Sequence, residues 1–236
     1  MPGVNDKKLD FTSMQNLFAK LSNCTTISGL NTETINFECL ESMKGTFSNS
    51  GLTSIDLSAA DTSHVTNMFE MFGKCTKLES INLTGNFSTG AVTTLSEAFE
   101  RVGADTVNGV EILFGGKCTT SNVYSMTSMF QDAKFKYGIL DISTFTNSNK
   151  PEISQMFDRC ENLKTIFADP KLWTRDYQFQ RNTVFENCNL LEGTSKSGYR
   201  TIHGSGSTYD YSEYAYICEG ENEPGLFTPS PETTAY

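Results

Sequence analysis

The sequence has little of what catalysis and metal binding usually require. Its 236 residues contain only two histidines, His64 and His203, and seven cysteines, of which the two nearest in sequence are Cys24 and Cys39. A structural zinc site needs paired ligands such as Cys-x-x-Cys, and no such pair is present. The sequence also lacks a Gly-x-Ser-x-Gly elbow, a glycine motif for phosphate and a carboxylate pair with separable roles. It therefore predicts no catalytic residue, no metal and no cofactor.

Basic residues are scarce as well. The chain carries 18 Lys and Arg against 28 Asp and Glu, a formal net charge of -10. Nucleic-acid binders need clustered cations that displace counterions, so we expect no nucleic-acid partner. No apolar run approaches the length of about 18 residues that indicates a transmembrane helix. The N-terminal stretch also lacks the apolar core of a signal peptide, so we expect neither element in this chain.

The sequence does contain an internal repeat. Phe72, in the segment VTNMFEMFGKCTKLESINL at 65–83, has equivalents before and after it, separated in turn by 25, 27, 31, 27 and 28 residues. Leu17 and Phe18 are typical of a degenerate seventh copy. A unit this short cannot bury its own apolar face, so the units must stack on one another. The six equivalent phenylalanines, expected to form one buried column, are Phe47, Phe72, Phe99, Phe130, Phe157 and Phe185.

The pattern predicts one short helix and one short strand in each unit. Val65, Met68 and Phe72 are spaced as on one face of a helix, and the Asp-Thr-Ser sequence at 61–63 suits an N-cap. Apolar residues at strand spacing follow, so we expect one short parallel strand per unit. These strand residues are Leu52, Ile55 and Leu57; Leu78, Ile81 and Leu83; Val107, Val110 and Ile112; Leu140 and Ile142; and Leu163, Ile166 and Ala168.

The segment LTSIDLSAADTSHVTNMFEMFGKCTKLESINL resembles the repeat of the BspA-type leucine-rich-repeat bacterial surface proteins. Their units read as a strand, an Asp-Thr-Ser-x-Val-Thr turn, a Met-x-x-Met-Phe helix and a Cys-x-x-Leu step. The resemblance covers roughly residues 9–227. It implies an α/β leucine-rich-repeat solenoid, with one short parallel strand and one short helix per repeat of 25 to 31 residues, closed by a C-terminal cap.

The repeats suggest a division of the chain. We expect an N-terminal cap or degenerate repeat at 1–34, the solenoid at 35–191, a capping segment at 192–227 and a flexible tail at 228–236. In the capping segment the tyrosines alternate at period two, as in a strand that covers the last repeat. They are Tyr209, Tyr211, Tyr214 and Tyr216.

Three of the cysteines occupy one position in the repeat. Cys75, Cys160 and Cys188 each lie three residues after the repeat phenylalanine, a place that Ser50 and Val102 take in other units. Free cysteine behaves as a small buried apolar residue, so we expect these three thiols to be reduced, buried and unreactive. The sequence does not decide whether one pair among Cys24, Cys39, Cys118 and Cys218 forms a disulfide. The repeat methionines are expected in the core, and His64 on the surface.

The strands also predict where a ligand would bind. In each Ile-x-Leu the middle residue faces away from the core, so these residues should line up along the exposed, concave face of the sheet. One interpretation is a face kept polar for solubility. The other is an acidic stripe that docks a cationic or mixed-charge segment, with an apolar anchor at one end. The residues are Asn36, Asp56, Asn82, Glu111, Asp141 and Phe167.

Taken with the resemblance, the sequence predicts a non-enzymatic interaction module. The family implies a bacterial cell-surface or secreted protein used in adhesion or in host or matrix contact. We expect a monomer with a protein or glycan ligand. The alternatives are a structural spacer within a larger surface protein, or an enzyme or toxin with a site in the irregular loops. The irregular loops lie at 99–114 and 170–210, where the sequence departs from the repeat.

Overall fold

The computed structural model describes residues 8–169, 171–173 and 183–191, together with the backbone of 227–229. These residues form short strands joined by turns, with one three-residue 3-10 turn at Lys136–Gly138 and no α-helix within the described ranges. The strands are β1 (Leu9–Asp10), β2 (Ile35–Asn36), β3 (Ser54–Asp56), β4 (Ser80–Leu83), β5 (Glu111–Phe114), β6 (Ile139–Asp141), β7 (Thr165–Ala168) and β8 (Phe227–Pro229).

The strands are parallel and pair in chain order. They form three small sheets, β1-β2, β3-β4-β5 and β6-β7-β8. Ile55 is the register partner of Ile81, which in turn pairs with Ile112, so equivalent residues of successive repeats lie side by side. Parallel pairing of consecutive units follows from the period of the sequence, because each unit returns the chain to the same place one strand further along.

The predicted helices are wrong, and with them the α/β solenoid class. An α-helix requires the Phe72 N–H to bond the carbonyl of Met68, four residues earlier. Instead it donates to the carbonyl of Ala98 in the next repeat, at 2.9 Å. Within the segment, Met71 N–H closes a four-residue turn onto Met68 O at 3.3 Å. Alternate N–H groups therefore join neighbouring repeats, and the others close tight turns.

Left-handed residues explain why the turns cannot become a helix. Glu70 and Lys74, two residues before and two after Phe72, have φ of 54° and 62°. A right-handed helix needs φ near −63°, whereas the third residue of a type II turn needs φ above zero. Residues at these positions are left-handed in the other described repeats too. The residues are Asn16 and Lys20, Gly45 and Asn49, Glu97 and Arg101, Ser128 and Asp132, Gln155 and Arg159, and Asn187.

The threonine of the Asp-Thr-Ser segment does not cap a helix but bonds the backbone of the next repeat. The Thr62 hydroxyl is fully buried, donates to Ser88 O at 2.7 Å and accepts from Ser88 N–H at 2.8 Å. Thr120 repeats both bonds with Thr146, at 2.6 and 2.7 Å. A buried hydroxyl must be hydrogen-bonded, and here the partner is the backbone of the following repeat.

The phenylalanine column is confirmed. Consecutive rings stack at 5.2 to 5.6 Å between centroids, and Phe18 adds a first ring, 5.6 Å from Phe47. The strand residues predicted to be buried are buried, with one exception: Val107 is 89% exposed. The repeat methionines are buried too, as expected for core residues. One continuous apolar core therefore runs through the described repeats.

Several expectations lie outside the described residues. They include most of the capping segment at 192–227, its four tyrosines, and His203. Of the tail at 228–236, Thr228 and Pro229 belong to β8, which pairs in parallel with β7. His64 is on the surface, as expected.

Candidate interaction surface

The predicted site residues do not form one row. Asn36 lies on β2, which pairs with β1 and belongs to another sheet than β3. Its side-chain amide donates to Asp10 Oδ1 at 2.8 Å. The segment that lies beside the start of β3 is instead the one near Thr25, whose carbonyl accepts a hydrogen bond from Thr53 N–H at 2.9 Å. Asn36 is therefore separated from the other predicted residues.

Asp56 and Asn82 are brought together as expected. They are register partners on β3 and β4, and the Asn82 side-chain amide donates to Asp56 Oδ2 at 3.1 Å. Asp141 and Phe167 are likewise partners on β6 and β7. The two predicted pairs thus lie in two different sheets, one before β5 and one after it in chain order.

Glu111 breaks the row. It pairs with Ser80, so Leu113 takes the place beside Asn82. The extra residues before β5 shift the strand by two positions relative to the expected alignment, which also leaves Val107 outside the core. Glu111 forms an ion pair with Lys136, 3.0 Å between Oε2 and Nζ. The proposed negative stripe is therefore interrupted by a leucine and partly neutralised by a lysine.

Most of the polar site residues build turns at the ends of strands. Asp56 Oδ1 accepts from Ser58 N–H at 2.8 Å, and Asp141 Oδ1 accepts from Ser143 N–H at 2.9 Å. Asn82 does the same with Thr84. Hydrogen bonds from Ser58 hold the pKa of Asp56 below its ordinary value. Asp and Asn favour this turn because a short side-chain oxygen reaches the backbone two residues on.

An exposed apolar patch on the same face was not predicted. Its members are Leu113 on β5, Ile139 on β6 and Phe167 on β7, whose side chains point to the outer side of the strands. Leu113 and Ile139 are 48% and 46% exposed, while Phe167 is half-buried. Strands β5 and β6 are neighbours, as are β6 and β7. We call these three residues the apolar patch.

The sequence contained a signal for this patch. Adjacent apolar residues in a strand cannot both face the core, because successive side chains point to opposite sides. Leu113 lies between Ile112 and Phe114, and Ile139 precedes Leu140. In each case one of the neighbours must be exposed. The repeat alignment hid this, since it read Val107 as part of the strand.

The residues flanking the patch are charged or strained. Tyr137, two residues before the start of β6, is 74% exposed and left-handed with φ of 58°. Lys136 Nζ lies 5.5 Å from the centre of its ring. Aromatic and aliphatic side chains with a charged rim are typical of protein contact surfaces.

The insertion at 99–114 is firmly held. The Thr106 hydroxyl donates to Gly103 O at 2.7 Å and accepts from Gly109 N–H at 2.8 Å. Lys134 Nζ donates to Thr106 O at 2.6 Å. Gly109 is left-handed and would clash with the Phe135 backbone if it carried a Cβ. The loop thus presents Val107 on a fixed frame.

The repeat cysteines are buried, as expected. Cys75 and Cys160 are inaccessible, and their thiols donate to Phe47 O and Phe130 O at 3.0 and 2.9 Å. Cys188 donates to Phe157 O in the same manner, at 2.8 Å. Burial raises the pKa of the Cys75 thiol, and burial raises that of Cys118 to about 11. Such thiols are poor nucleophiles at neutral pH.

Charged side chains collect on the turn side of the stack. Lys74 lies 3.5 Å from Glu70 and 3.3 Å from Glu100, measured from Nζ to the nearest carboxylate oxygen. Burial raises the pKa of Glu97, helped by the neighbouring carboxylates. In the described part of the chain, no group of three or more His, Cys, Asp and Glu side chains is arranged to hold a metal ion.

Among the described residues, no helix is long and apolar enough to cross a bilayer.

The chain matches one protein family. The family model, described as "Mycoplasma protein of unknown function, DUF285", aligns with residues 12–109 and 116–197, about three quarters of the chain. The gap between the two matched stretches, residues 110–115, contains the whole of β5 and with it Leu113 of the apolar patch. No curated protein and no solved structure matches the chain.

Proposed function

The chain belongs to this family of Mycoplasma proteins, and on that premise we propose that it is a non-enzymatic protein-interaction module whose contact surface is the apolar patch. The observation that carries the proposal is the exposure of Leu113 and Ile139, which lie with the half-buried Phe167 on neighbouring strands of the outer face. Singly exposed leucines are ordinary, but apolar side chains grouped on a flat strand face are typical of binding surfaces.

The position of the patch supports the proposal. It lies where the repeat is least regular, next to the insertion before β5 and to the left-handed Tyr137. In the other repeats the apolar residues predicted for the strands and the column phenylalanines are buried in the core. Irregular segments on a rigid repeat scaffold are where binding residues are usually found.

The patch defines the partner's chemistry. A partner must supply apolar side chains for Leu113 and Ile139, and polar groups for the Glu111 and Lys136 rim. The resemblance to BspA-type surface proteins supports a place at a bacterial cell surface and a role in adhesion. A spacer in a longer surface protein is the alternative, and it predicts that the isolated chain binds nothing.

The test is capture of surface proteins by the immobilised chain and by a Leu113→Lys, Ile139→Lys double variant. We expect the parent to retain a partner and the double variant to lose it, because lysines would disrupt an apolar contact. The control is Ser54→Lys on strand β3, which is not adjacent to any strand that carries a patch residue and should bind as the parent does. Equal capture by all three proteins, or by none, would refute the proposal.

The predicted acidic stripe is tested by a separate variant in the same experiment. Asp56→Asn and Asp141→Asn together remove two charges but keep the turn-forming oxygen at each strand end. If the acidic residues dock a cationic segment, this variant binds more weakly and the parent's binding falls with salt. If the apolar patch alone is the contact, the variant binds normally and salt has little effect.

A further inference from the structure

The first described repeat leaves its outer side uncovered. Leu9, Leu17 and Leu21 are 59%, 44% and 42% exposed, and Phe18 is only partly buried. At the other end of the column, Phe185 is 2% exposed and its neighbours Val184 and Leu191 are fully buried. Within the described ranges, the first ring of the column is therefore partly uncovered and the last ring is buried.

The end formed by the first repeat also carries a row of backbone carbonyls that have no donor among the described residues. In the second repeat, the carbonyls of Ser42, Lys44, Thr46 and Ser48 accept N–H groups from Met14, Asn16, Phe18 and Lys20 at 2.8 to 3.0 Å. The equivalent carbonyls of the first repeat belong to Ser13, Gln15, Leu17 and Ala19. None of these four accepts a hydrogen bond within the described residues.

The interface between the first two repeats shows what fits such an end. It consists of alternate N–H groups that bond the carbonyl row and a phenylalanine ring that stacks on the next, as Phe18 does on Phe47 at 5.6 Å. A segment with the same turn pattern would bond Ser13, Gln15, Leu17 and Ala19 and continue the ring column onto Phe18. Addition of one chain's backbone to the open edge of another is an established mode of recognition.

We propose that this end of the stack docks one repeat-like segment, of the Met-x-x-Met-Phe type, from another polypeptide. A second copy of this chain fits poorly. In its last described repeat the column ring of Phe185 is already buried, and two first repeats placed face to face would oppose one row of carbonyl acceptors with another. The surface differs from the apolar patch, so its test is independent of the proposed function.

The probe is a fluorescein-labelled peptide of residues 64–74, HVTNMFEMFGK, titrated against the full chain and followed by fluorescence anisotropy. We expect saturable binding that weakens roughly tenfold or more in Leu17→Lys. The matched control is Leu190→Lys, a leucine of similar exposure, 49%, in the last described repeat, which should bind as the parent does. A peptide N-methylated at Glu70 and Phe72 lacks two of the donors and should bind at least tenfold more weakly.

Three outcomes overturn the proposal. The first is that the unmodified peptide binds no better than the N-methylated one, including the case where neither binds. The second is that binding persists unchanged in Leu17→Lys. The third is that sedimentation velocity shows a dimer of the parent chain that Leu17→Lys abolishes, which would assign the end to a second copy.

Discussion

At the residue scale, the paired left-handed positions are the feature on which the repeat depends. Gly45 fills one of them without strain, while Glu70, Glu97, Ser128 and Gln155 occupy its equivalents with φ between 53° and 58°. A Cβ in this conformation costs roughly 1 to 2 kcal/mol, which the repeat-to-repeat hydrogen bonds offset. Glycine at these places should therefore be favourable, the reverse of its effect in a helix.

Gln155→Gly tests this directly. Relief of the left-handed strain should exceed the added entropy of the unfolded chain, so we expect the free energy of unfolding to rise by about 0.5 to 1 kcal/mol. In a helix the same change would lower it by about 1 kcal/mol. Urea denaturation measures the difference.

The control for this substitution is Thr127→Gly. Thr127 precedes the left-handed Ser128 and has no positive φ of its own. It should lose stability by about 0.5 to 1 kcal/mol, as glycine does at ordinary positions. If both variants lose stability alike, the turn geometry assigned to these segments is incorrect.

At the scale of the elements, the ring column links the repeats. Phe72 and Phe130 are fully buried, and each stacks on a ring above and a ring below. Phe18 has one stacked neighbour and is only partly buried. The stabilisation by these rings should therefore depend on their place in the column.

Truncation of a ring to alanine measures this dependence. We expect Phe72→Ala and Phe130→Ala each to cost about 3 to 5 kcal/mol, from lost burial and the cavity left behind. Phe18→Ala should cost clearly less, since part of the ring is already in water. Equal losses in thermal or urea unfolding at all three sites would contradict a column with an open first position.

Sequence reasoning recovered the elements that a period can reveal. The spacing of the phenylalanines predicted the column, and the Ile-x-Leu alternation predicted parallel strands such as β4. Sequence reasoning failed where a helix and a run of tight turns place apolar residues at the same spacing. Val65, Met68 and Phe72 point inward both in a helix and in successive tight turns, so apolar spacing alone cannot separate them. Gly45, in the middle of a supposed helix, was the available warning.

The candidate site was predicted less well, for a related reason. Asp56 and Asn82 meet as expected because their repeats have the same length between strands. Glu111 does not, because the insertion before β5 changes the register, and a shift in register cannot be read from composition. The apolar patch followed from adjacent apolar residues in β5 and β6, a pattern that the repeat alignment concealed.

At the scale of the whole molecule, the described repeats form one stack in which the hydrogen bonds between the tight turns that hold successive column phenylalanines all run in the same direction. This stack has two distinct surfaces. The strand side carries the apolar patch, and the first repeat presents carbonyls that have no donor in the described part of the chain. Both depend on the same arrangement, in which backbone N–H groups of one turn segment bond the next repeat. A helical unit would satisfy its own N–H groups and leave no acceptor row at the end.

Scalar coupling across hydrogen bonds tests this arrangement most directly. In a spectrum of the isotope-labelled chain, the Phe72 amide nitrogen should couple to the carbonyl carbon of Ala98, whose oxygen lies 2.9 Å away. Phe47 should couple to Met71, and Phe130 to Met156, in the same manner. A coupling from Phe72 to the carbonyl of Met68 would instead establish a helix and contradict the stacked turns.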